Sequence, residues 1–95
     1  ILIGRDEEAL EEARKALTRH GRRVTVVPGD VSTPSGAEAA CRQVLNLNGE
    51  VDVLVNNVGG RRVDVPTEDM AVEQWQQLID LNLTSALVCC QQLCK

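Results

Sequence analysis

The sequence predicts an α/β fold in which a parallel sheet is covered by helices, and three observations carry that reading. Three runs rich in Val, Ile and Leu, at residues 1–3, 24–27 and 51–55, lack the clean polar–apolar alternation of a half-exposed sheet, and such runs suit strands buried on both faces. A helical pattern with an apolar stripe follows each run, the last after a loop. Each run also ends in turn-forming and ligand-competent residues: Gly4-Arg5-Asp6, Gly29-Asp30-Val31 and Asn56-Asn57-Val58-Gly59. Repeated strand–helix alternation implies parallel strands joined by right-handed crossovers. Ligands of such sheets sit beyond the carboxyl ends of the strands.

The elements follow in order. Ile1 to Ile3 read as the tail of a strand, and Gly4-Arg5-Asp6 turns the chain. Asp6 is placed to cap a helix from Glu7 to His20, with Leu10, Ala13 and Leu17 on its inner stripe. Glutamates crowd its start and basic residues its end, an order that complements the helix dipole, and Gly21 is a natural stop. These charges and His20 read as a solvated face. Val24 to Val27 form the second strand, closed by Pro28-Gly29. Ser32 or Thr33 caps the next helix, with Pro34 near its first position. That helix runs to about Leu47, with Ala37, Ala40, Cys41, Val44 and Leu45 inside, and Asn48-Gly49 closes it. The third run follows, then a loop from Gly60 to Asp69 carrying Arg61, Arg62 and Pro66. A final helix starts near Ala71 and continues to the end, with Trp75, Leu78, Ile79, Ala86 and Cys90 on one stripe.

Composition narrows the function classes. Ninety-five residues make one small domain, and its core must be built without aromatics, since the chain has one Trp and no Phe or Tyr. A net charge of −4 argues against a nucleic-acid face. No apolar stretch is long enough to span a bilayer, and no signal-peptide pattern is present. The four cysteines form no C-x-x-C pair and His20 stands alone, so no metal site is expected. The cysteines read as small buried hydrophobes in a reducing compartment, which gives a cytoplasmic expectation. The chain opens on Ile1 rather than Met and ends at Lys95 without a helix stop, so both ends read as cut.

Asn82 falls on the apolar stripe of the last helix. An amide there costs on the order of 1–3 kcal/mol unless it is hydrogen-bonded. Two readings are open: an Asn satisfied by neighbouring backbone, or one that holds a helix kink, a water or a catalytic side chain.

Taken together, Gly4-Arg5-Asp6, Asp30-Val31, Asn56-Asn57-Val58-Gly59 and Trp75 followed by Asn82-Leu83 resemble the motifs of the short-chain dehydrogenase/reductase family, in order and spacing over essentially the whole chain. Val58 stands where the family pattern has Ala. The resemblance implies a Rossmann-type three-layer fold, with residues 1–95 forming part of an NAD(P)-binding domain: the second to fourth strands of the family sheet and the helix that follows. It implies that the Asp30 carboxylate meets the adenine amino group, helped by the Val31 backbone. Asn57, Val58 and Gly59 would line the path of the ribose and pyrophosphate, and Asn57 would also brace the sheet. Asn82 matches the family's catalytic Asn, which holds a water in a proton relay. The Gly4-Arg5 site favours NADP(H) over NAD(H), because a guanidinium suits a 2′-phosphate; Asp6 beside it tempers this. The implied partner is a small alcohol or carbonyl substrate. A homo-oligomeric parent is also implied, with Cys89 and Leu93 suiting a subunit contact.

The chain departs from the family where chemistry is concerned. It has no Tyr, hence no Tyr-x-x-x-Lys motif, and no glycine-rich phosphate loop. The expectation is therefore a piece of a hydride-transferring oxidoreductase that does not catalyse by itself. A non-catalytic α/β module that binds a nucleotide or a protein is the alternative. A flavodoxin-like signalling domain would need acidic residues at the strand ends, and only Asp30 fits. Arg61, Arg62 and Asp64 lie near the expected active-site mouth and read as solvated loop charges. In the strand order 3-2-1-4 the first two runs should pair, and the third should be left without a native partner, either beside a gap at Val53, the favoured outcome, or closed non-natively onto the Ile1 strand.

Overall fold

The computed structural model describes residues 1–61 and 64–95. Local chemistry accounts for where the elements begin and end. The Asp6 carboxylate accepts from the Ala9 amide at 3.0 Å and caps helix α1 (Glu7–Thr18). This helix ends two residues short of the expected His20, and Gly21 follows at φ 74°. Thr33 Oγ1 accepts from the Gly36 amide at 3.2 Å and caps helix α2 (Pro34–Asn48), whose first residue is the expected proline. Gly49, at φ 79°, ends it.

Strands β1 (Leu2–Gly4) and β2 (Val26–Pro28) pair in parallel, with Ile3 opposite Val27 and Gly4 opposite Pro28. Alternation along the strands separates the two faces. Val27 is buried and Ile3 half-buried in a cluster with Val31, Ala37, Ala40, Cys41 and Val44 of the α2 region and Val88, Cys89 and Leu93 of the last helix. On the other face α1 inserts Leu10 against Gly4, close enough that a Cβ there would lie 3.2 Å from the leucine. The result is a layer of α1, a layer of sheet, and a layer made of α2 with the last helix.

Two expectations are corrected. Residues 51–55 pair with no strand, as expected: among the described residues the sheet has β1 and β2 only. The run is, however, not buried on both faces. Val51 and Leu54 pack against the core, whereas Val53 and Val55 are each 77% exposed. The physical reason is that α2 and the last helix cover one face only. Between this run and β1 lies a groove of about 750 Å³, lined by Ile1–Ile3 on one side and Val51–Val55 on the other, with Val44, Asn48 and Leu93 also facing it. The gap expected beside Val53 is there.

The second correction concerns the last helix. It is not one α-helix but α3 (Val72–Ile79), a π-turn (Asp80–Thr84) and α4 (Ser85–Leu93) in succession. The wider turn shifts the phase of everything after it. The buried residues are Leu81, Ser85, Val88, Cys89 and Leu93, while Trp75, Cys90 and Asn82 on the expected stripe are exposed. Cys89 and Leu93 are thus packed inside this chain, where α4 meets α2, and are not available for a subunit contact. Among the described residues no helix is long and apolar enough to cross a membrane.

Candidate functional site

Parallel pairing places the ends of β1 and β2 at the same edge. The Gly29 amide donates to the Gly4 carbonyl at 2.8 Å, so Arg5 and Asp30 leave the sheet side by side. Asp6 is engaged in its cap. Arg5 is exposed, and no ion pair among the described residues includes it. Asp30 Oδ1 accepts from the Ser32 amide at 2.9 Å, which curls the chain toward the Thr33 cap. Gly36 is required in this turn, because a Cβ on it would lie 1.9 Å from the Asp30 carbonyl oxygen. Val31 sends its side chain into the core and leaves its backbone at the edge. A hollow of about 270 Å³ runs from Ser32 and Thr33 to Gln77, Asp80 and Leu81.

Asn56 to Gly60 follow the third run, across the groove from β1. Asn56 Nδ2 donates to Cys90 Sγ at 3.5 Å and ties the run to α4. Asn57, implied to brace the sheet, lines the groove and makes no hydrogen bond among those of the described residues. Val58 is 43% exposed. Gly59 lies so near Asn82 that a Cβ on it would sit 2.9 Å from Oδ1.

Asn82 stands in the middle of the π-turn and has its amide fully engaged. Oδ1 accepts from the Gly60 amide at 2.8 Å, and Nδ2 donates to the Gly60 and Leu78 carbonyls, each at 2.9 Å. Both open readings meet in this geometry: the Asn is satisfied by backbone, and it does so at a helix irregularity. The pairing with Gly60 is two-point, like that between neighbouring strands. Gly60 has φ 137°, a conformation that side chains rarely adopt. Ser85 completes the turn. Its amide bonds to the Asp80 carbonyl, five residues back, and its Oγ donates to the Leu81 carbonyl at 2.7 Å. Sequence reasoning missed Gly60 and Ser85; the Gly59-Gly60 pair and a Ser on the inner stripe were the available signals.

A model of the family described as short chain dehydrogenase matches residues 1–95. The chain belongs to the short-chain dehydrogenase family. It is 31% identical over 83 residues to glucose 1-dehydrogenase 2 of Bacillus subtilis, covering 87% of this chain and 32% of that protein. It is 32% identical over 93 residues to the rhamnolipid-biosynthesis 3-oxoacyl-[acyl-carrier-protein] reductase of Pseudomonas aeruginosa, covering 98% and 36%. Among solved structures, L-sorbose reductase of Gluconobacter frateurii complexed with NADPH and L-sorbose superposes with TM-score 0.88 at 33% identity, over 97% of this chain and 35% of that one. A metagenomic short-chain oxidoreductase in complex with NADP gives 0.87 at 28% identity, over 98% and 42%. This short-chain dehydrogenase chain thus spans about a third of the length of the curated relatives it matches. Its partial α/β sheet is a Rossmann fold by likeness to those structures.

Arg61 donates to the Val65 carbonyl at 3.1 Å and pairs with Asp64 at 3.2 Å, both well exposed. The expectation for Arg62 lies outside the described residues. No group of three or more His, Cys, Asp or Glu among the described residues is arranged to hold a metal ion.

Proposed function

We propose that the chain supplies the adenosine side of a dinucleotide pocket, in a protein that moves hydride between NADP(H) and a small alcohol or carbonyl. What supports this is the parallel pairing of β1 and β2, which sets Arg5 and Asp30 side by side beyond their carboxyl ends, with Asn57 lining the groove beside β1. The donor set fits the group: a carboxylate for an amino group, a glycine backbone for a close approach, and an exposed guanidinium for a phosphate. The solved relatives complexed with NADPH and NADP support the reading. When bound, the cofactor would supply or accept the hydride. This chain's part is to bind and orient. Arg5 would select the 2′-phosphate, since Asp6 is already engaged as a cap. Asn82 is a positioning residue: both Nδ2 hydrogens are committed to main chain, which leaves the second lone pair of Oδ1 for a relay water. The Tyr that the family uses to exchange a proton with the substrate oxygen is not among these residues.

The test is kcat/KM for NADP(H) and NAD(H) in the full-length protein, wild type and Arg5→Ala. The wild type is expected to prefer the phosphorylated cofactor. The variant should lose about ten-fold or more of that preference, the loss of one charge-assisted contact. An unchanged ratio removes Arg5 as the selector, and a full-length protein that binds neither dinucleotide removes the reading itself.

A further inference from the structure

The third run has no ladder partner, so its place is set by side chains. Val51 and Leu54 pack against the core. Past them, two ties hold the segment among the described residues. Asn56 Nδ2 donates to Cys90 Sγ, 34 positions away, at 3.5 Å, and Gly60 pairs with Asn82. The two adjacent amides are thereby divided: Asn56 is turned to α4, whereas Asn57 lines the groove. The Gly60 clamp does not fix that division, because Val58 and Gly59 lie between it and Asn57, and a glycine leaves the chain free to turn. We propose that Cys90 is a positioning residue for the dinucleotide: by holding Asn56 it keeps Asn57, Val58 and Gly59 where the proposed pocket presents them. The inference rests on the nucleotide reading of those three residues.

Packing gives no other account of this thiol. Cys41 and Cys89 are buried in the core, while Cys90 is exposed. Its bond is the only one that Asn56 makes among the described residues. A thiol sulfur is a weak acceptor, and water competes for an exposed bond, so the tie contributes direction more than stability. It joins the third run to α4, the helix that continues from the π-turn of Asn82. Without it, Val51 and Leu54 stay in the core and Gly60 stays on Asn82, but residues 55–59 between them are untied. The division of the two amides is then lost, and Asn57 is presented to the nucleotide in only a fraction of the molecules. Such a loss weakens binding in proportion to that fraction and leaves the chemical step alone.

The test uses the full-length protein as wild type, Cys90→Ala, Asn56→Ala and the double variant. Each single variant should raise the Kd for NADP(H) about three-fold, the low end for one hydrogen bond, with kcat and the thermal midpoint unchanged. The double variant should rise no further, because both truncations break one tie. In the cofactor-free protein the side-chain amide resonance of Asn56 should move, on Cys90→Ala, toward that of a solvated amide. An unmoved resonance, an unchanged Kd or effects that multiply in the double variant would overturn the proposal. So would a fall in the thermal midpoint that accounts for the weaker binding, which would assign Cys90 to stability alone. These outcomes leave the pocket reading standing. A wild type that binds neither dinucleotide overturns that reading, and this inference with it.

Discussion

Asn82 binds main chain with every hydrogen of its amide, and that determines what its removal does. Asn82→Ala strips both bonds from the Gly60 peptide and one from the Leu78 carbonyl. Because the site is open to solvent, the stability cost should be about 1–2 kcal/mol, the lower range for three lost bonds. In the full-length protein kcat should fall about ten-fold or more while the dinucleotide Kd moves little, as a positioning role requires. An equal fall in stability and activity, restored together by an unrelated stabilising change, would assign Asn82 to structure alone. Gly60→Ala reaches the same clamp from the other side. A side chain at φ 137° is strained by about 1–3 kcal/mol, so faster exchange of the Gly60 amide should accompany it with Asn82 untouched.

Cys41 offers a pH-dependent counterpart. Burial pushes its thiol up to about 12, with the neighbouring Cys89 adding to the shift. Below the ordinary thiol range both folded and unfolded chains keep the proton, so Cys41 adds no pH dependence to stability there. Between that range and about 12 the unfolded chain gives up the proton and the folded one does not, so stability falls as pH rises. Urea unfolding followed across this window should show the decline in the wild type, and Cys41→Ala should flatten it.

At the scale of elements, what was legible was what local chemistry decides. The Asp6 and Thr33 caps, Pro34 at the start of α2 and Gly49 after its end each follow from one side chain and its near neighbours. The π-turn was not legible, because a 3.6-residue period was carried through Asn82 without interruption. The bonds that hold the turn, from Asn82 to a loop 22 positions away, have no signature in a helical pattern. Burial then followed Leu81, Ser85, Val88 and Cys89 in place of Trp75, Ala86 and Cys90. Deletion of Leu83, which is 63% exposed, removes the extra residue and should convert the turn to α-helix. A rotation of about 100° per residue would then carry Asn82 off Gly60 or α4 off α2. Loss of protection at Gly60 with α2 unchanged identifies the first outcome.

For the whole molecule, the layer order and the shared edge where β1 and β2 end were legible, since strand–helix alternation leaves few topologies. Pairing of the third run was not secured by its own apolar residues, because a strand is made by its neighbours. Val53 reads as buried in sequence and is exposed in place. The resulting shape is open. The radius of gyration is 15.0 Å, against about 13 Å for a compact domain of this size. The accessible surface is 6848 Å², against about 5,400 Å² for a compact folded protein of this mass. The isolated 95-residue chain should therefore unfold with weak cooperativity and show no rise in its thermal midpoint with added dinucleotide. A sharp transition raised by the cofactor would contradict this.

The two-point pairing of Gly60 with Asn82 also acts as a knot at the neck of a loop. Beyond the closure Arg61 and Asp64 hold each other near its base, and a short helical turn, Thr67–Asp69, precedes α3. Lengthening such a loop costs little, about 0.6 kcal/mol for each doubling, and the neck would not feel the change. Residues 61–70 are therefore a replaceable cassette. Insertions there should leave the Gly60–Asn82 pairing, and with it the π-turn, in place.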